Sequence, residues 1–392
     1  MNRVTIQQML QEGYAAFERS HLLPAYVRKA AWALLVCRTA VLGGHIQACP
    51  EGHVERVWDN SCRHRLCPQC AWLQVERWLA AQKARLLACD HYHMIFTLPA
   101  ELRGLWLANV RVMTNLLFAT VHETLVELLG DAKYLGACPG IIAALHTWSQ
   151  TLVLHPHLHC LVTGGGLTAT GHWRPVRHGF LLPVRVVMAV FRGKLLAALQ
   201  QGLAQGQLQL PEGRSPQQLV NLLHKLGRTK WHVHIRERYA HGAGVLTYVA
   251  RYLRGGPISN TRLVWCAHGE VTFRYRVNGE GADHQPRGLM TLPIAAFIQR
   301  YLLHVPPPGT KVVRGYGLYA PTKRAALARC REQLGQGPVV RAAVLDWQTA
   351  CSQRGEDHPE RCPVCGCRLV CTGVIPRASG PPAVVVLGES VA

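Results

Sequence analysis

Hydrophobic and polar positions change period several times along the chain, and each change marks an element. In TIQQMLQEGYAAF and YVRKAAWALLVC the apolar residues recur at helical spacing, so residues 1–36 are expected to form helices, a cap with a basic face. Residues 71–90, AWLQVERWLAAQKARLLACD, set Trp78, Leu79, Leu86 and Leu87 on a buried face and Arg77, Lys83 and Arg85 on a solvated one. Residues 93–99 form a short apolar strand ended by proline, and 105–129 a long helix. The apolar run 151–154 leads into HPHLHC and then 161–163, before the glycines 164–166 stop it. Alternation along this strand sends His155, His157 and His159 to one face and Leu158 to the other. Residues 185–226 read as helical, partly low in complexity, a spacer with no chemistry to name. KWHVHI, 230–235, alternates again and places His232 and His234 together. Glycines flank a helical segment at 244–254. Strands follow at 262–265 and 270–276, then a helix over 292–304, a break at the prolines 306–308 and a basic helix over 322–333.

Charge narrows the partners. The chain of 392 residues carries 43 Lys+Arg against 22 Asp+Glu, a net charge of +21, with 21 histidines besides. A polyanion is the first expectation, and nucleic acid the commonest one. No apolar run reaches membrane-spanning length, and MNRVTIQQMLQEG lacks the apolar centre of a signal peptide. The expectation is a soluble cytoplasmic protein with no membrane partner, on the nucleoid when bound to DNA. The fifteen cysteines then read as thiols or metal ligands rather than disulfides.

The cysteines cluster. Cys37, Cys49, Cys62, Cys67 and Cys70 lie close together in sequence, with His45, His53 and His64 among them. Cys67-Pro-Gln-Cys70 is a knuckle whose two thiolates can reach one ion. Cys49 through His53 could supply the other half of a tetrahedral zinc site. The favoured set is Cys49, Cys62, Cys67 and Cys70, with His53 as substitute for one of them. The plainer readings are unliganded thiols or a redox CxxC, which normally lies in a βαβ pattern absent here. Arg56, Arg63 and Arg65 around the ribbon suit duplex DNA. Cys362-Pro-Val-Cys365-Gly-Cys367 is a second knuckle, with Cys371 and His358 nearby and no second CxxC to complete it. Residues 376–392 read as a disordered tail.

Two further constellations carry chemistry. His157 and His159, side by side on a strand, form half of a divalent-metal site. Gln150, seven residues before His157, is a candidate third ligand through its side-chain oxygen, and His93 is another. An exposed edge strand is the plainer alternative. Tyr248 and Tyr252 stand at i and i+4, so both hydroxyls project from one helix face, about 6 Å apart at Cβ. Arg251 and Arg254 keep that face cationic. Such a pair is more often packing than chemistry, and its company in this chain changes the reading.

In order, the segments CRTAVLGGHIQAC, SCRHRLCPQC, HMIFTLP, HPHLHCLVTGGGL, KWHVHIRE, YVARYL, ISNTRL, FRYR, LPIAAFIQRYLLHV and RGYGLY resemble the two-tyrosine HUH transposases of insertion sequence 91 type. The resemblance runs from about residue 30 to about residue 370. It departs at Gly52-His53, where relatives carry a second cysteine, and at Gly255-Gly256-Pro257, where a bulkier basic segment is expected. It implies an α+β fold: an HUH endonuclease domain with a central antiparallel sheet and flanking helices, preceded by a small zinc ribbon and a helical N-terminus. The expected divisions are 1–36 helical, 37–90 zinc ribbon and linker helix, 91–304 nuclease, 305–375 basic C-terminal region with the second knuckle, and 376–392 tail.

The implied activity is cleavage and rejoining of single-stranded DNA at element ends through a 5′-phosphotyrosine intermediate, in rolling-circle transposition. Tyr248 and Tyr252 would be nucleophiles, with Lys230 or Arg251 favouring the phenolate. His157, His159 and Gln150 would hold a catalytic Mg²⁺ or Mn²⁺, and the cysteines a structural Zn²⁺. The partners would be single-stranded ends and duplex DNA. A rolling-circle replication initiator shares this chemistry. A water-activating phosphodiesterase, or a zinc-ribbon DNA-binding protein without catalysis, would leave no covalent adduct.

Overall fold

In a computed structural model of the chain the described residues are 4–239, 244, 246–247, 256–276, 287–353, 355 and 358–378. Their strands are β1 (Gly44–Ala48), β2 (Glu55–Asp59), β3 (His91–Thr97), β4 (Cys138–Trp148), β5 (Leu154–Leu167), β6 (Trp173–Pro175), β7 (His232–Tyr239), β8 (Leu263–Ala267), β9 (Glu270–Arg276), β10 (Arg287–Pro293), β11 (Val313–Gly317) and β12 (Val370–Ile375). They form three sheets, ordered β11-β4-β5-β3-β7 with β6 on β5, β10-β9-β8, and β12-β1-β2, and every pairing is antiparallel. The fold is α+β, as expected.

β5 lies at the centre of the largest sheet, and its sequence explains its two faces. Leu154, Leu158, Cys160 and Val162 point into a core. His155, His157 and His159 take the opposite face. Pro156 sits where the register with β4 shifts, between the pairs Trp148–Leu154 and His146–His157. A bulge is where a strand tolerates a residue without an N–H. The glycines 164–166 do not stop the strand. A Cβ on Gly165 would collide with the Trp173 ring, and one on Gly166 would meet the Cys138 carbonyl oxygen at 2.6 Å. They let β6 and β4 approach β5 closely, so the strand runs on to Leu167.

Helices α1 (Ile6–Ser20), α2 (Ala25–Leu35), α3 (Trp72–Lys83), α4 (Arg103–Ala108), α5 (Val110–Gly130), α6 (Val184–Ala204) and α7 (Pro216–Gly227) surround the strands. The back of the large sheet is covered by α5, α6 and α7: Leu117, Phe118, Val121, Phe191, Leu195, Leu199, Leu219 and Leu223 share one core with Phe96, Leu158 and Val162. Residues 185–226, expected as a spacer, are therefore half of the wall that holds the site in place. Ser215 starts α7 with a reciprocal capping box to Gln218. Contrary to the sequence reading, α5 and α6, of 21 residues each, are long and apolar enough to cross a membrane. Here Phe118 of α5 and Phe191 of α6 turn that apolarity onto the sheet.

The front face of the sheet carries the histidines at one end and an apolar cover at the other. Leu79, Leu86, Leu87, Leu246, Leu318, Tyr319 and Leu327 bury Ile142, Ala144 and Leu161. A third core joins α1 and α2 to Phe273 of β9 and to the helix Ile294–Leu302. Tyr301 of that helix donates its hydroxyl to the Leu66 carbonyl at 2.6 Å, which ties it to the cysteine knuckle.

Candidate active site and metal centres

Register builds the histidine site. His157 faces His146 across β4–β5 and Thr97 across β3–β5, while His159 faces Ala144 and Ile95. Paired residues of antiparallel strands share a face. His146, His157 and His159 therefore converge, with one ring nitrogen from each within 4.8 Å of the others. His146 is the member of this cluster that sequence reasoning missed. Gln150 lies in the turn beyond β4, and its backbone carbonyl accepts from the Arg262 guanidinium at 2.6 Å.

Neighbours orient two of the rings. His157 Nδ1 is 2.6 Å from the His155 carbonyl oxygen, so it donates there and leaves Nε2 as the lone-pair nitrogen. His159 Nδ1 is 2.7 Å from His93 Nε2, and with His159 as the donor there its Nε2 lone pair is left for the site. His93, weighed as a ligand, thus sits behind His159. Such contacts fix the tautomer of a metal-binding imidazole. Burial pushes His157 down to about 4. Burial also holds His146 well below the usual histidine range, with the His159, His157 and His93 charges adding to it. At neutral pH these rings are uncharged, the form that binds metal.

The surroundings are cationic. Burial and the charges of Arg103 and His232 lower His155. Arg103 comes from the start of α4, and sequence reading passed it over. His232 and His234 are exposed on the same face, paired with Thr97 and Ile95, their rings stacked at 6.3 Å. Lys230 is exposed immediately ahead of β7. Tyr248, Arg251 and Tyr252 lie outside the described residues. Leu246, two positions ahead of Tyr248, is fully buried with Ile142, Ala144 and Leu161 on the histidine side of the sheet.

The cysteines divide differently from the expected set. Cys37, Cys62, Cys67 and Cys70 bring their sulfurs within 4.8 Å of one another. The Cys62–Cys70 and Cys37–Cys67 sulfur separations are 3.6 and 3.5 Å. A tetrahedral zinc with Zn–S near 2.3 Å needs sulfurs about 3.8 Å apart, so the four fit one ion after a small expansion. Contact among the sulfurs, with Cys37 foremost, pulls the Cys70 thiol far down and pushes Cys67 up. Four sulfurs this close cannot all ionise without a cation between them. Cys49 and His53 are not part of this group. They sit at the tip of the β1–β2 hairpin, closed by the Cys49 N–H on the Val54 carbonyl at 2.9 Å, and there they meet the C-terminal knuckle. Cys37, which ends the α2 region, takes the place expected for Cys49.

Comparisons with known proteins agree with this arrangement. A family profile described as "Transposase zinc-binding domain" matches residues 9–98, and one described as "Putative transposase" matches 140–326. The chain is 36% identical over 381 residues to "Putative transposase y4qJ" of Sinorhizobium fredii, covering 95% of this chain and 94% of that protein. It is 29% identical over 352 residues to "Transposase for insertion sequence element IS801" of Pseudomonas savastanoi pv. phaseolicola, covering 87% and 82%. No solved structure matches. The cysteine cluster within 9–98, the antiparallel sheet and these full-length relatives together show that the chain belongs to the insertion sequence 91 family of transposases.

Proposed function

We propose that this transposase cleaves and rejoins single-stranded DNA at the ends of its element by tyrosine chemistry, in a rolling-circle route. One observation carries the reading. Three imidazoles converge on a sheet face, and Leu246 is buried on that same face two residues before Tyr248. Tyr248 and Tyr252 follow Leu246 closely in the sequence, and that proximity is what joins the tyrosine pair to the histidines in this reading.

His146, His157 and His159 would hold a divalent ion, with Gln150 as a further donor from the neighbouring turn. An all-imidazole set is softer than the oxygen shell Mg²⁺ demands, which favours Mn²⁺ of the two. When bound, the ion would supply Lewis-acid polarisation of the scissile phosphate. The protein's own groups do the rest. His93 and the His155 carbonyl hold the rings in register. Lys230 and Arg251 favour the phenolate of a tyrosine whose free pKa is about 10. The tyrosine oxygen attacks phosphorus, the P–O3′ bond breaks, and the DNA leaves with a free 3′-OH. The 5′-phosphotyrosine keeps the phosphodiester energy, so a later 3′-OH can reverse the step without ATP. A second tyrosine lets one protein hold a second end.

The test is incubation of the full chain with labelled single-stranded terminal DNA and Mn²⁺, followed by denaturing gel analysis. The expected result is an SDS-resistant protein–DNA adduct that the Tyr248→Phe/Tyr252→Phe variant does not form. An adduct that persists in the double variant makes another residue the nucleophile. Cleavage without any adduct makes the protein a water-activating nuclease.

A further inference from the structure

We propose that Cys49, His53, Cys362 and Cys365 bind a second zinc ion, one that fastens the C-terminal strand to the N-terminal hairpin. Neither matched stretch, 9–98 or 140–326, contains Cys362 or Cys365. The four donor atoms lie within 4.8 Å of one another. Cys49 Sγ is 3.5 Å from His53 Nδ1 and 3.6 Å from Cys365 Sγ, close to the edge of a tetrahedron drawn on bonds of about 2.0–2.3 Å.

In each half the chain turns back on the first cysteine at a left-handed glycine. Gly52 donates its N–H to the Cys49 carbonyl at 2.9 Å, and Gly366 donates to the Cys362 carbonyl at 2.9 Å. Both glycines have positive φ, +75° and +72°, which an L side chain would resist. The first turn closes three residues on and the second four, and they bring Cys49 and Cys365 together from positions 316 residues apart in the chain. β12 then pairs along β1, from Gly44–Ile375 to Ala48–Val370. Together the turns and the sheet make one zinc ribbon assembled from the two ends of the chain.

The packing around it calls for a staple. Its buried cluster is Cys49, Cys362 and Leu369, with Val54 and Cys367 partly buried against them. Val57, Val370 and Val374 of the same sheet are 58%, 47% and 77% exposed. So small an apolar cluster cannot hold a three-stranded sheet by burial alone, and structural metals serve where a core is insufficient. Trp58 of the hairpin also makes an edge contact with Trp347 of the C-terminal region, centroids 5.8 Å apart.

Cys367 is a fifth donor. Its sulfur is 3.4 Å from Cys49 and 3.1 Å from Cys365. Two thiolates on one zinc stand about 3.8 Å apart, so Cys365 and Cys367 do not both serve as drawn, and the C-x-x-C spacing selects Cys365. His358 is engaged with its own turn, accepting from the Glu360 N–H at 3.1 Å, and Cys371 is exposed on β12.

The test is zinc content of the full chain purified under reducing conditions, by native mass spectrometry. The parent should carry two zinc ions. Cys362→Ser/Cys365→Ser should carry one and release the C-terminal segment to limited proteolysis. Cys367→Ser should keep both, which separates ligation from general damage. A parent with one zinc ion overturns the proposal, as does a parent with one zinc ion and a mass 2 Da low from a Cys365–Cys367 disulfide. A Cys362→Ser/Cys365→Ser variant that still holds two also overturns it.

Discussion

If His146 completes the catalytic metal site, replacing its nitrogen should weaken metal binding while the fold survives. The ring is 2% exposed and stacks on Trp148 at 5.6 Å and against His159 at 4.1 Å. His146→Phe keeps the aromatic bulk and removes only the donor. His146→Ala removes both and leaves a cavity, at a cost of about 2–4 kcal/mol by analogy with other large-to-small core changes. Loss of an outer partner of a metal ligand costs about 10–100-fold in affinity. Loss of a ligand itself should cost at least about 100-fold, or about 2.7 kcal/mol at 1.36 kcal/mol per decade. The assay is single-strand cleavage at a series of Mn²⁺ concentrations, with DNA affinity and melting temperature measured beside it. The Phe variant should need about 100-fold more Mn²⁺, melt near the parent and bind DNA as the parent does. The Ala variant should share the metal defect and melt several degrees lower. A Phe variant that cleaves at the parent rate with unchanged Mn²⁺ demand would refute the third-ligand reasoning.

Other outcomes follow from the same geometry. His157→Ala and His159→Ala should each abolish cleavage and leave most DNA affinity, which is largely electrostatic; full cleavage by the double variant would remove the histidine pair from the mechanism. If the tyrosines act in alternation, Tyr248→Phe and Tyr252→Phe should each still cut an oligonucleotide but fail to complete strand transfer, which a two-ended transfer assay reads directly. Binding should fall steeply with salt, each phosphate contact contributing about 0.7–0.9 to the log–log slope, and a flat response would point to another partner. Burial lowers His91 and His304 to about 4. The unfolded chain, with histidines near 6.5, binds more protons between those values, so stability is complete above about 6.5 and lost as pH falls toward 4. Each residue is worth up to about 3 kcal/mol over that window. The melting temperature of His304→Gln should therefore fall less between pH 7 and pH 5 than that of the parent, and equal slopes would dismiss His304 as a source.

How much of this was legible depends on how far apart in the chain the cooperating groups lie. His157 and His159 could be read because strand alternation is a local rule and Leu158 marks the buried face. His146 needed the register of β4 against β5. Folding the chain about the turn at 149–153 sets His146 opposite His157, and the apolar run 140–145 was the signal for that strand. The glycines 164–166 misled because glycine permits both a turn and close packing, and only the Trp173 ring over Gly165 decides between them. The helices over 185–226 looked inert because core helices carry no chemistry of their own, yet Phe191 and Leu195 pack on the back of the strand that aims the histidines. The clustered cysteines show the limit most clearly. Cys67 and Cys70 are a local motif, and their sulfurs lie in one group with Cys62. Cys37 and Cys49 are nearly equivalent by spacing, and what separates them is the far-off strand Val370–Ile375. β12 draws the Cys49 hairpin toward Cys365 and leaves Cys37 to face Cys67 at 3.5 Å. No window of sequence contains that choice, because it is made by the pairing of the two ends.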